Sequence, residues 1–352
     1  MRVTGAKLTT VRIPLQTPFV TALRRVESAE AVRLWLESDS GAVGIGEAPP
    51  TEKITGETME SIERAIRDTF LPALRQTAPA GLPQARDTIA QACRGHRSAK
   101  AAVDIALSGL FGLFTPPAAA EPVTTAVTVS LDAPDAMERQ AVGFYRKGCT
   151  LLKVKLGGSI EEDLSRLRRI REALPDATLL ADANQAWHTE EALRFLDLAY
   201  PLRPALLEQP LPAADLKGMR RITAKSPIPI LADESAFTLE EVKRVVESEA
   251  AHMINVKLMK CGGVGEAEAI LQWCKAHGIA CMMGSMLETP ASIRAALWLA
   301  MRYRDTIRYC DLDSPLLWKN VPEDSGIAID RNRLNLRDRT DPPFQPAIPR
   351  HK

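Results

Sequence analysis

The sequence lacks the features that mark several common classes of protein. Its six cysteines include no Cys-x-x-Cys pair, which argues against a disulfide framework or a zinc site in a chain of this length. The five histidines show no spacing typical of metal ligands. No apolar run approaches the roughly 18 residues of a membrane span, and the amino terminus lacks the apolar core of a signal peptide. We therefore expect reduced thiols, a cytoplasmic location and no membrane partner.

An excess of one charge is also missing, because Lys and Arg number 45 and Asp and Glu number 44. A nucleic-acid-binding surface usually requires a basic excess, so we expect no nucleic-acid partner. Apolar residues make up 45% and charged residues 25%, the profile of a globular protein. Composition leaves open whether the chain forms a homo-oligomer.

The length of 352 residues suits a barrel of about 200 to 250 residues that carries a smaller second domain. Apolar and polar residues alternate at Lys7–Pro14 and at Ala31–Glu37, which indicates an antiparallel meander. Three stretches of helical period follow. They are Glu57–Arg75, Pro83–Arg94 and Ser98–Leu113. We predict an α+β capping domain over residues 1–116, ended by a proline-rich junction.

After Pro122 short apolar or β-branched runs alternate with amphipathic helices, a pattern typical of βα units and a parallel sheet. Eight runs qualify as strands, the number in a (β/α)8 barrel. They are Thr124–Ser130, Leu152–Leu156, Thr178–Ala183, Ala205–Glu208, Ile228–Asp233, Met253–Lys257, Ala280–Met283 and Ile307–Asp311. We predict the α/β class, with a (β/α)8 barrel over residues 122–315.

Local signals support the order of strand followed by helix. Ser159 with Glu162, and Thr238 with Glu241, form capping-box patterns after two of the strands. The residues 316–352 are predicted to return towards the capping domain through a strand at Ile327–Leu336, with a loose end from residue 341 onwards.

Five charged residues stand at the carboxyl ends of five consecutive predicted strands. They are Lys155, Asp182, Glu208, Asp233 and Lys257, at successive spacings of 27, 26, 25 and 24 residues. One βα unit has about this length, so the five side chains are expected at one end of the barrel. Active sites of such barrels lie at that C-terminal end. We predict that the five residues share one site.

The three carboxylates, of Asp182, Glu208 and Asp233, would repel one another strongly unless a cation neutralised them. All-oxygen ligands favour Mg²⁺, or else Mn²⁺, over zinc. Incomplete coordination by the protein would leave room for a substrate carboxylate, and the adjacent C–H bond could then lose a proton as an enediolate forms. The pattern predicts a metal site with proton-transfer chemistry.

Lys155 and Lys257 flank the carboxylates on opposite sides, so one could remove a proton while the other delivers one. A lysine acts as a base only if its pKa falls towards the operating pH. Lys153 lies two residues before Lys155 on the same strand face, and we expect its charge to favour that fall. Asn184 and Glu234, beside the ligands, are predicted to orient them.

Each residue alone has an ordinary structural explanation. Asp182 or Asp233 could cap the following helix, and Glu208 could be a salt-bridge partner. A Lys-x-Lys pair commonly lies on the solvent-exposed face of a strand. The joint order of lysine, three carboxylates and lysine on successive strands is much harder to obtain by chance, and it favours function.

At these residues the sequence resembles the enolase superfamily, in the subgroup of muconate cycloisomerases, N-acylamino acid racemases with o-succinylbenzoate synthases, and dipeptide epimerases. The resemblance runs nearly end to end. Its motifs are KVK at Lys153–Lys155, ADANQAW at Ala181–Trp187, LEQP at Leu207–Pro210, ADES at Ala232–Ser235 and NVKLMKCGG at Asn255–Gly263. The resemblance implies an α+β cap packed over the barrel mouth and Mg²⁺ at the three carboxylates.

Two further segments resemble dipeptide epimerases, in particular those specific for L-Ala-D/L-Glu. Asp311 and Asp313 match an Asp-x-Asp motif that holds the α-ammonium group of the substrate. Thr17–Val26 resembles a cap loop in which the arginine corresponding to Arg24 binds the acidic side chain of the substrate. The resemblance implies a dipeptide substrate, whose C-terminal α-carbon is inverted by 1,1-proton transfer through a metal-stabilised enediolate, in the reuse of cell-wall peptides.

Three alternatives stay open at this point. The first is an N-acylamino acid racemase or o-succinylbenzoate synthase, whose substrates lack the free amine that Asp311 and Asp313 would bind. The second is a dipeptide epimerase of different side-chain specificity. The third is an inactive barrel that acts as a binding protein, since a fold does not guarantee activity. The presence of both lysines and all three carboxylates argues against the third.

Overall fold

The N-terminal part of the chain forms an antiparallel sheet. The computed structural model describes residues 2–20, 25–115 and 121–337. Strands β1 (Val3–Val20), β2 (Arg25–Ser38) and β3 (Val43–Ala48) pair in the order β1-β2-β3. The predicted meander is present, and β1 and β2 are longer than expected because their pairing continues to Val20 opposite Arg25.

The capping helices follow the sheet. They are α1 (Glu52–Thr55), α2 (Met59–Ala65), a π-helical turn (Ile66–Phe70), α3 (Leu71–Thr77), α4 (Leu82–Ala92) and α5 (Arg97–Leu110). The stretch predicted as one helix, Glu57–Arg75, therefore consists of three consecutive segments. The N–H of Leu71 donates to the carbonyl of Ile66, five residues back, next to Pro72, which has no N–H to continue the regular pattern.

Helix α5 packs on β3 with no side chain between the two backbones at Gly44 and Gly46. A Cβ atom at Gly44 would lie 1.9 Å from the carbonyl oxygen of Ala106, and one at Gly46 would lie 1.8 Å from that of Ala102. The glycines on the strand and the alanines on the helix thus allow this close approach, which sets the distance between the sheet and the helical layer.

The second part of the chain is an eight-stranded parallel barrel, as predicted. Its predicted first strand divides into β4 (Val123–Thr124) and β5 (Val127–Val129). The other barrel strands are β6 (Leu151–Lys155), β7 (Thr178–Asp182), β8 (Leu206–Glu208), β9 (Ile230–Ala232), β10 (Met253–Lys257), β11 (Ala280–Gly284) and β12 (Ile307–Asp311). Strands β5 to β12 pair in chain order. A bridge between Thr125 and Cys310 closes the barrel.

Helices alternate with these strands. They are α6 (Pro134–Arg146), α7 (Ile160–Ala173), α8 (Thr189–Ala199), a 3₁₀ turn (Tyr200–Leu202), α9 (Leu216–Thr223), α10 (Leu239–Glu247), α11 (Leu258–Cys261), α12 (Val264–Ala276), α13 (Pro290–Arg302) and α14 (Ser314–Leu317). Thr238 and Glu241 form a complete capping box. At Ser159 the hydroxyl accepts from the Glu162 N–H, while the Glu162 carboxylate faces Arg166 at 3.8 Å. In the described part of the chain, no helix is long and apolar enough to cross a membrane.

The segment after α14 differs from the single strand predicted at Ile327–Leu336. It contains a 3₁₀ turn (Glu323–Ser325) and a hairpin of β13 (Ile327–Asp330) and β14 (Arg333–Leu336), which turns at Arg331 with a positive φ of 56°. Strand β14 pairs with β4. The start of the segment contacts the capping sheet, where Trp318 forms a bridge with Leu15 of β1 and the Lys319 N–H donates to the Pro14 carbonyl at 2.7 Å. The end predicted to be loose, from residue 341 onwards, lies outside the described residues.

Apolar side chains from consecutive barrel strands fill the interior of the barrel and form a floor beneath its mouth. They are Ala126, Leu151, Leu180, Leu206, Leu231, Met253 and Met282. On β6 the same strand face carries Leu151, then Lys153, then Lys155. The polar residues of the mouth therefore continue the inward-facing rows of this apolar floor.

We expect Gly46→Ala to destabilise the protein by about 3 kcal/mol or more, because its methyl group would overlap the backbone of α5. Gly143→Ala is the control, since Gly143 is an exposed residue of α6 with no neighbouring atom within 4 Å of the added carbon. That substitution should raise stability by roughly 0.5 to 1 kcal/mol. Thermal unfolding of both variants measures the effect, and equal changes in Tm would contradict the packing described here.

Candidate active site

The barrel brings the five charged strand-end residues together at its C-terminal mouth. Lys155 is in register with Asp182 across β6 and β7, and Asp182 is in register with Glu208 across β7 and β8. Asp233 directly follows β9, and Lys257 is the last residue of β10. None of the five is more than 7% exposed. Five charges are thus buried next to one another.

Each outer lysine is bonded to the carboxylate on its own side. Lys155 Nζ donates to Asp182 Oδ2 at 2.6 Å, and Lys257 Nζ donates to Asp233 Oδ2 at 2.6 Å. Burial opposes the charge of Asp182, but Lys153 and Lys155 hold the pKa of its carboxyl below the usual range. Asp182 is therefore ionised at neutral pH.

The pKa of Lys257 is raised rather than lowered. Burial favours the neutral amine, but the charge of Asp233 outweighs burial and raises the pKa of Lys257 above its ordinary value. A lysine that acts as a base requires a lowered pKa. The pKa of Lys257 is not lowered in this arrangement, because its ammonium group is bonded to the ionised Asp233 carboxylate.

Lys153 lies at the centre of the mouth, with 1% of its surface exposed. Its Nζ lies 2.7 Å from Asp311 Oδ2, 2.7 Å from Glu208 Oε2 and 3.0 Å from Asp182 Oδ2. Burial lowers the pKa of Lys153, but these carboxylates raise it well above the ordinary value. The sequence predicts a single role for Lys153, to lower the pKa of Lys155. In the structure Lys153 is the shared counter-charge of carboxylates on β7, β8 and β12.

The three carboxylates offer the donor set of an oxygen-coordinated cation. Glu208 Oε2 and Asp233 Oδ1 are buried and accept no hydrogen bond from the described residues. Lys153 and Lys260 lie 2.7 and 2.6 Å from these two atoms, without hydrogen-bond geometry. Among the described residues, no three acidic, histidine or cysteine side chains converge closely enough to hold a metal ion. Lys153 Nζ lies within 3.0 Å of both Asp182 and Glu208. The donors fit Mg²⁺ in chemistry and number, and ammonium groups supply the counter-charge in this arrangement.

The two residues predicted to orient the ligands lie at the mouth. The N–H of Asn184 donates to Asp182 Oδ1 at 3.0 Å, and Asn184 has a positive φ of 46°. Burial, and then the charge of Asp233, raises the pKa of Glu234 to about 7. Both side chains line the cleft between Lys155 and Lys257.

Three buried residues that the sequence analysis did not assign contact the side chain or the main chain of the carboxylate residues. Asn255 Nδ2 donates to Glu208 Oε1 at 2.8 Å. Gln209 Oε1 accepts from the Asp233 N–H at 2.9 Å. Lys260 Nζ donates to the Asp233 carbonyl at 2.6 Å. Asn255 could have been found by its position two residues before Lys257 on the same strand face. Lys260 lies in the same NVKLMKCGG motif, but its contacts with Asp233 appear only in the structure.

Asp311 and Asp313 lie at the end of β12 and line the same cleft. Asp311 Oδ2 accepts from Lys153, and Asp313 Oδ2 accepts from the Thr128 N–H at 2.7 Å. Each contact uses one of the two oxygens of its carboxylate. Burial, and then the charge of Asp311, raises the pKa of Asp313 to about 6. The pair can therefore present acidic oxygens to a cation in the cleft.

The capping part of the chain covers the mouth. Phe19 from the end of β1 and Lys53 and Ile54 from α1 line the cleft together with the barrel residues. Arg24, predicted to bind the side chain of the substrate, lies outside the described residues, which stop at Val20 and resume at Arg25.

Glu288 is a further buried acid beside the site. It lies in the loop after β11, and its Oε1 accepts from the N–H of Met286, which lines the cleft. Burial raises the pKa of Glu288 to about 7, although the bond from Met286 lowers it. The loop thus contains an acid that is partly neutral at physiological pH.

Two family models together match most of the chain. The model described as mandelate racemase / muconate lactonizing enzyme, N-terminal domain, matches residues 3–113. The model described as enolase C-terminal domain-like matches residues 136–340. The two matches correspond to the capping sheet with its helices and to the barrel.

Similar proteins cover nearly the same length. The L-amino acid-D/L-Glu epimerase of Sulfurimonas denitrificans is 41% identical over 330 residues, which are 90% of this chain and 94% of that protein. A substrate-liganded complex of the L-Ala-D/L-Glu epimerase of Bacillus subtilis has a TM-score of 0.91 at 36% identity, covering 96% and 97% of the two chains. A dipeptide epimerase of Enterococcus faecalis, complexed with Mg and L-Leu-L-Tyr, has a TM-score of 0.90 at 32% identity, covering 96% and 98%.

We expect Glu288→Gln to change how stability depends on pH. With a pKa of about 7 when folded and an ordinary pKa of 4.5 when unfolded, Glu288 contributes stability below pH 4.5 that is lost as pH rises to about 7. The loss is about 3 kcal/mol. The stability of Glu288→Gln relative to wild type should therefore rise by about that amount between pH 4.5 and 8.

Urea unfolding across this range measures the difference between the two proteins. The exposed substitution Glu240→Gln, in the first turn of α10, serves as control and should follow wild type. A difference between Glu288→Gln and wild type that stays constant with pH would contradict a neutral buried Glu288.

Proposed function

The chain belongs to the mandelate racemase / muconate lactonizing enzyme family of the enolase superfamily, and from this membership we propose a Mg²⁺-dependent dipeptide epimerase acting on L-Ala-D/L-Glu. The observation that carries the proposal is the pair Lys155 and Lys257. The two lysines stand on β6 and β10, on either side of a row of three buried carboxylates. Such a pair can reach one carbon atom from opposite faces.

The reaction needs one neutral lysine and one ammonium group. The neutral amine of one lysine takes the α-proton of the C-terminal residue, and the ammonium group of the other delivers a proton to the opposite face. The two lysines end in exchanged protonation states, and proton exchange with solvent restores them. The substrate gains and loses one proton, so only its configuration changes.

Asp182, Glu208 and Asp233 would hold the Mg²⁺ ion, with Mn²⁺ as a second candidate. When bound, the ion supplies positive charge beside the substrate carboxylate and so makes the adjacent C–H bond more acidic. Asn184 and Gln209 support this role because they hold Asp182 and the strand end at Asp233 through main-chain contacts. Lys153 keeps the inner carboxylates neutralised.

Substrate recognition is assigned to three further residues. Asp311 and Asp313 would bind the α-ammonium group. Their burial at the mouth supports this role, because buried carboxylates bind a cationic group strongly. Arg24 would bind the glutamate side chain. The names of two similar proteins, which specify D/L-Glu, support an acidic C-terminal residue.

The alternatives differ in the substrate. An N-acylamino acid substrate has no ammonium group, so it would bring no cation to the Asp311 and Asp313 oxygens that face the cleft, which disfavours it. A dipeptide epimerase of apolar specificity is the second alternative, because the Enterococcus protein was solved with L-Leu-L-Tyr. All six cysteines, each within the described residues, are free thiols, which supports a cytoplasmic setting. The proposed acidic dipeptide substrate is in keeping with the reuse of cell-wall peptides.

We expect each single lysine variant, Lys155→Ala or Lys257→Ala, to lose epimerisation by about a thousandfold or more. Each variant should still exchange the α-hydrogen of one epimer with solvent deuterium, because the remaining lysine faces that hydrogen. The two variants should differ in which epimer they exchange. Proton NMR of L-Ala-L-Glu and L-Ala-D-Glu in deuterated buffer with Mg²⁺ measures this.

Wild type should exchange and epimerise both substrates, and the N-acetylated dipeptide should be a poor substrate. A double variant without either lysine should exchange neither epimer. If wild type exchanged no member of a broad dipeptide library, the epimerase proposal would be lost. If both single variants exchanged the same epimer, the opposed arrangement of the lysines would be wrong.

We expect Arg24→Ala to reduce kcat/KM for L-Ala-L-Glu by about a hundredfold, the loss of one charge-assisted contact, while L-Ala-L-Leu changes by less than about threefold. The neighbouring Arg25→Ala is the matched control, because Arg25 is an exposed residue that faces Glu27 at 4.0 Å. Equal losses for the acidic and the apolar dipeptide in Arg24→Ala would remove this role from Arg24.

A further inference from the structure

A buried carboxylate of the capping sheet contacts a helix of the barrel. Glu47 lies on β3 and its side chain is 0% exposed. Its Oε1 accepts from Arg33 Nε at 2.5 Å. Its Oε2 accepts from the Thr289 hydroxyl at 2.7 Å and from the Ala291 N–H at 2.6 Å. Glu47 therefore reaches from the cap to the first turn of α13.

Glu47 caps the N-terminus of α13, a role that the N-cap residue of a helix usually fills. Thr289 is the N-cap of α13, but its side chain makes no capping bond to the helix. The Thr289 hydroxyl donates to Glu47, and the same carboxylate oxygen satisfies the free N–H of Ala291. A carboxylate at this position also interacts favourably with the positive end of the helix.

The loop that ends at this N-cap forms part of the cleft. Ser285, Met286 and Leu287 line the cleft between β11 and α13. On one side of the loop, the Ser285 N–H donates to the carbonyl of Asp311, the last residue of β12, at 3.0 Å. On the side of the helix it is held by Glu47. Ser314 of the barrel also holds the loop, because its hydroxyl accepts from the Glu288 N–H at 3.0 Å and donates to the Met286 carbonyl at 3.3 Å. The loop is thus held by Asp311 and Ser314 on the side of the barrel and by Glu47 on the side of the cap.

We propose that Glu47 is a positioning residue that sets the affinity for substrate by holding the loop 285–289 against the cleft. Glu47 does not line the cleft itself and so acts through the N-terminus of α13. The effect on substrate rests on the epimerase function proposed above. The effect on the loop does not, because it concerns the protein alone.

The chain offers a matched comparison at a second contact of the same kind. Asp104 of α5, 2% exposed, accepts from the Gly265 N–H in the first turn of α12 at 2.9 Å and from Arg86 Nε at 2.8 Å. The residues between Lys257 and Gly265 do not line the cleft. Asp104 therefore joins the cap to a barrel helix without holding a loop that lines the cleft.

The experiment compares Glu47→Gln with Asp104→Asn by hydrogen–deuterium exchange and by steady-state kinetics with L-Ala-L-Glu and Mg²⁺. In Glu47→Gln, amide exchange over residues 285–293 should rise about tenfold, the scale of one lost helix cap. KM should rise about tenfold while kcat changes less than about twofold, because the lysines are untouched. In Asp104→Asn, exchange should rise around residues 262–268 and KM should stay within about twofold.

Thr289→Val is the second variant, since it removes only the hydroxyl donor to Glu47 and keeps the shape of the side chain. It should shift exchange and KM in the same direction by a smaller factor. Unchanged exchange over residues 285–293 in Glu47→Gln, or equal rises of KM in Glu47→Gln and Asp104→Asn, would overturn the proposal. Wild type that turns over no dipeptide would overturn the proposed function instead, and the exchange data would still decide whether Glu47 holds the loop.

Discussion

Neutralisation of buried charge is the constraint on which the site depends. Asp182, Glu208, Asp233 and Asp311 are almost fully buried in one barrel mouth, where uncompensated carboxylates would be very unfavourable. Ammonium groups lie within 3.0 Å of all four. Because each strand contributes one or two charged side chains, the strand register decides which ammonium group lies beside which carboxylate. The arrangement that balances the charges also sets two lysines apart on opposite sides of the cleft.

Two kinds of packing hold this charged layer in place. The apolar residues of the barrel interior support it from below, so the lysine and carboxylate side chains extend from a rigid base. The capping sheet and its helices line the cleft above it through Phe19, Lys53 and Ile54. They are joined to the barrel through carboxylates at the N-termini of α12 and α13. The barrel therefore positions the lysines and carboxylates, and the cap supplies part of the cleft wall above them.

Much of the site could be predicted from sequence because it repeats with the βα unit. The spacings from Lys155 to Lys257 equal one such unit each, so the position at a strand end follows without any knowledge of long-range contacts. The central place of Lys153 and the contacts of Lys260 and Glu47 could not be predicted. Lys153 meets Asp311 across 158 residues of sequence, and Glu47 meets Thr289 across 242. Such pairs have no local signal.

The sequence by itself determined the class of fold, the eight strands and the kinds of charged group that face the mouth, because periodicity and strand-end position are local properties of the chain. Only the tertiary structure decided which ammonium group neutralises which carboxylate, and in which direction the pKa of each group shifts. It also decided that the helix predicted at Glu57–Arg75 opens into a π turn and that Ile327–Leu336 forms a hairpin on β4. The physical reason is that burial, register and the proximity of distant charges exist only once the barrel has closed.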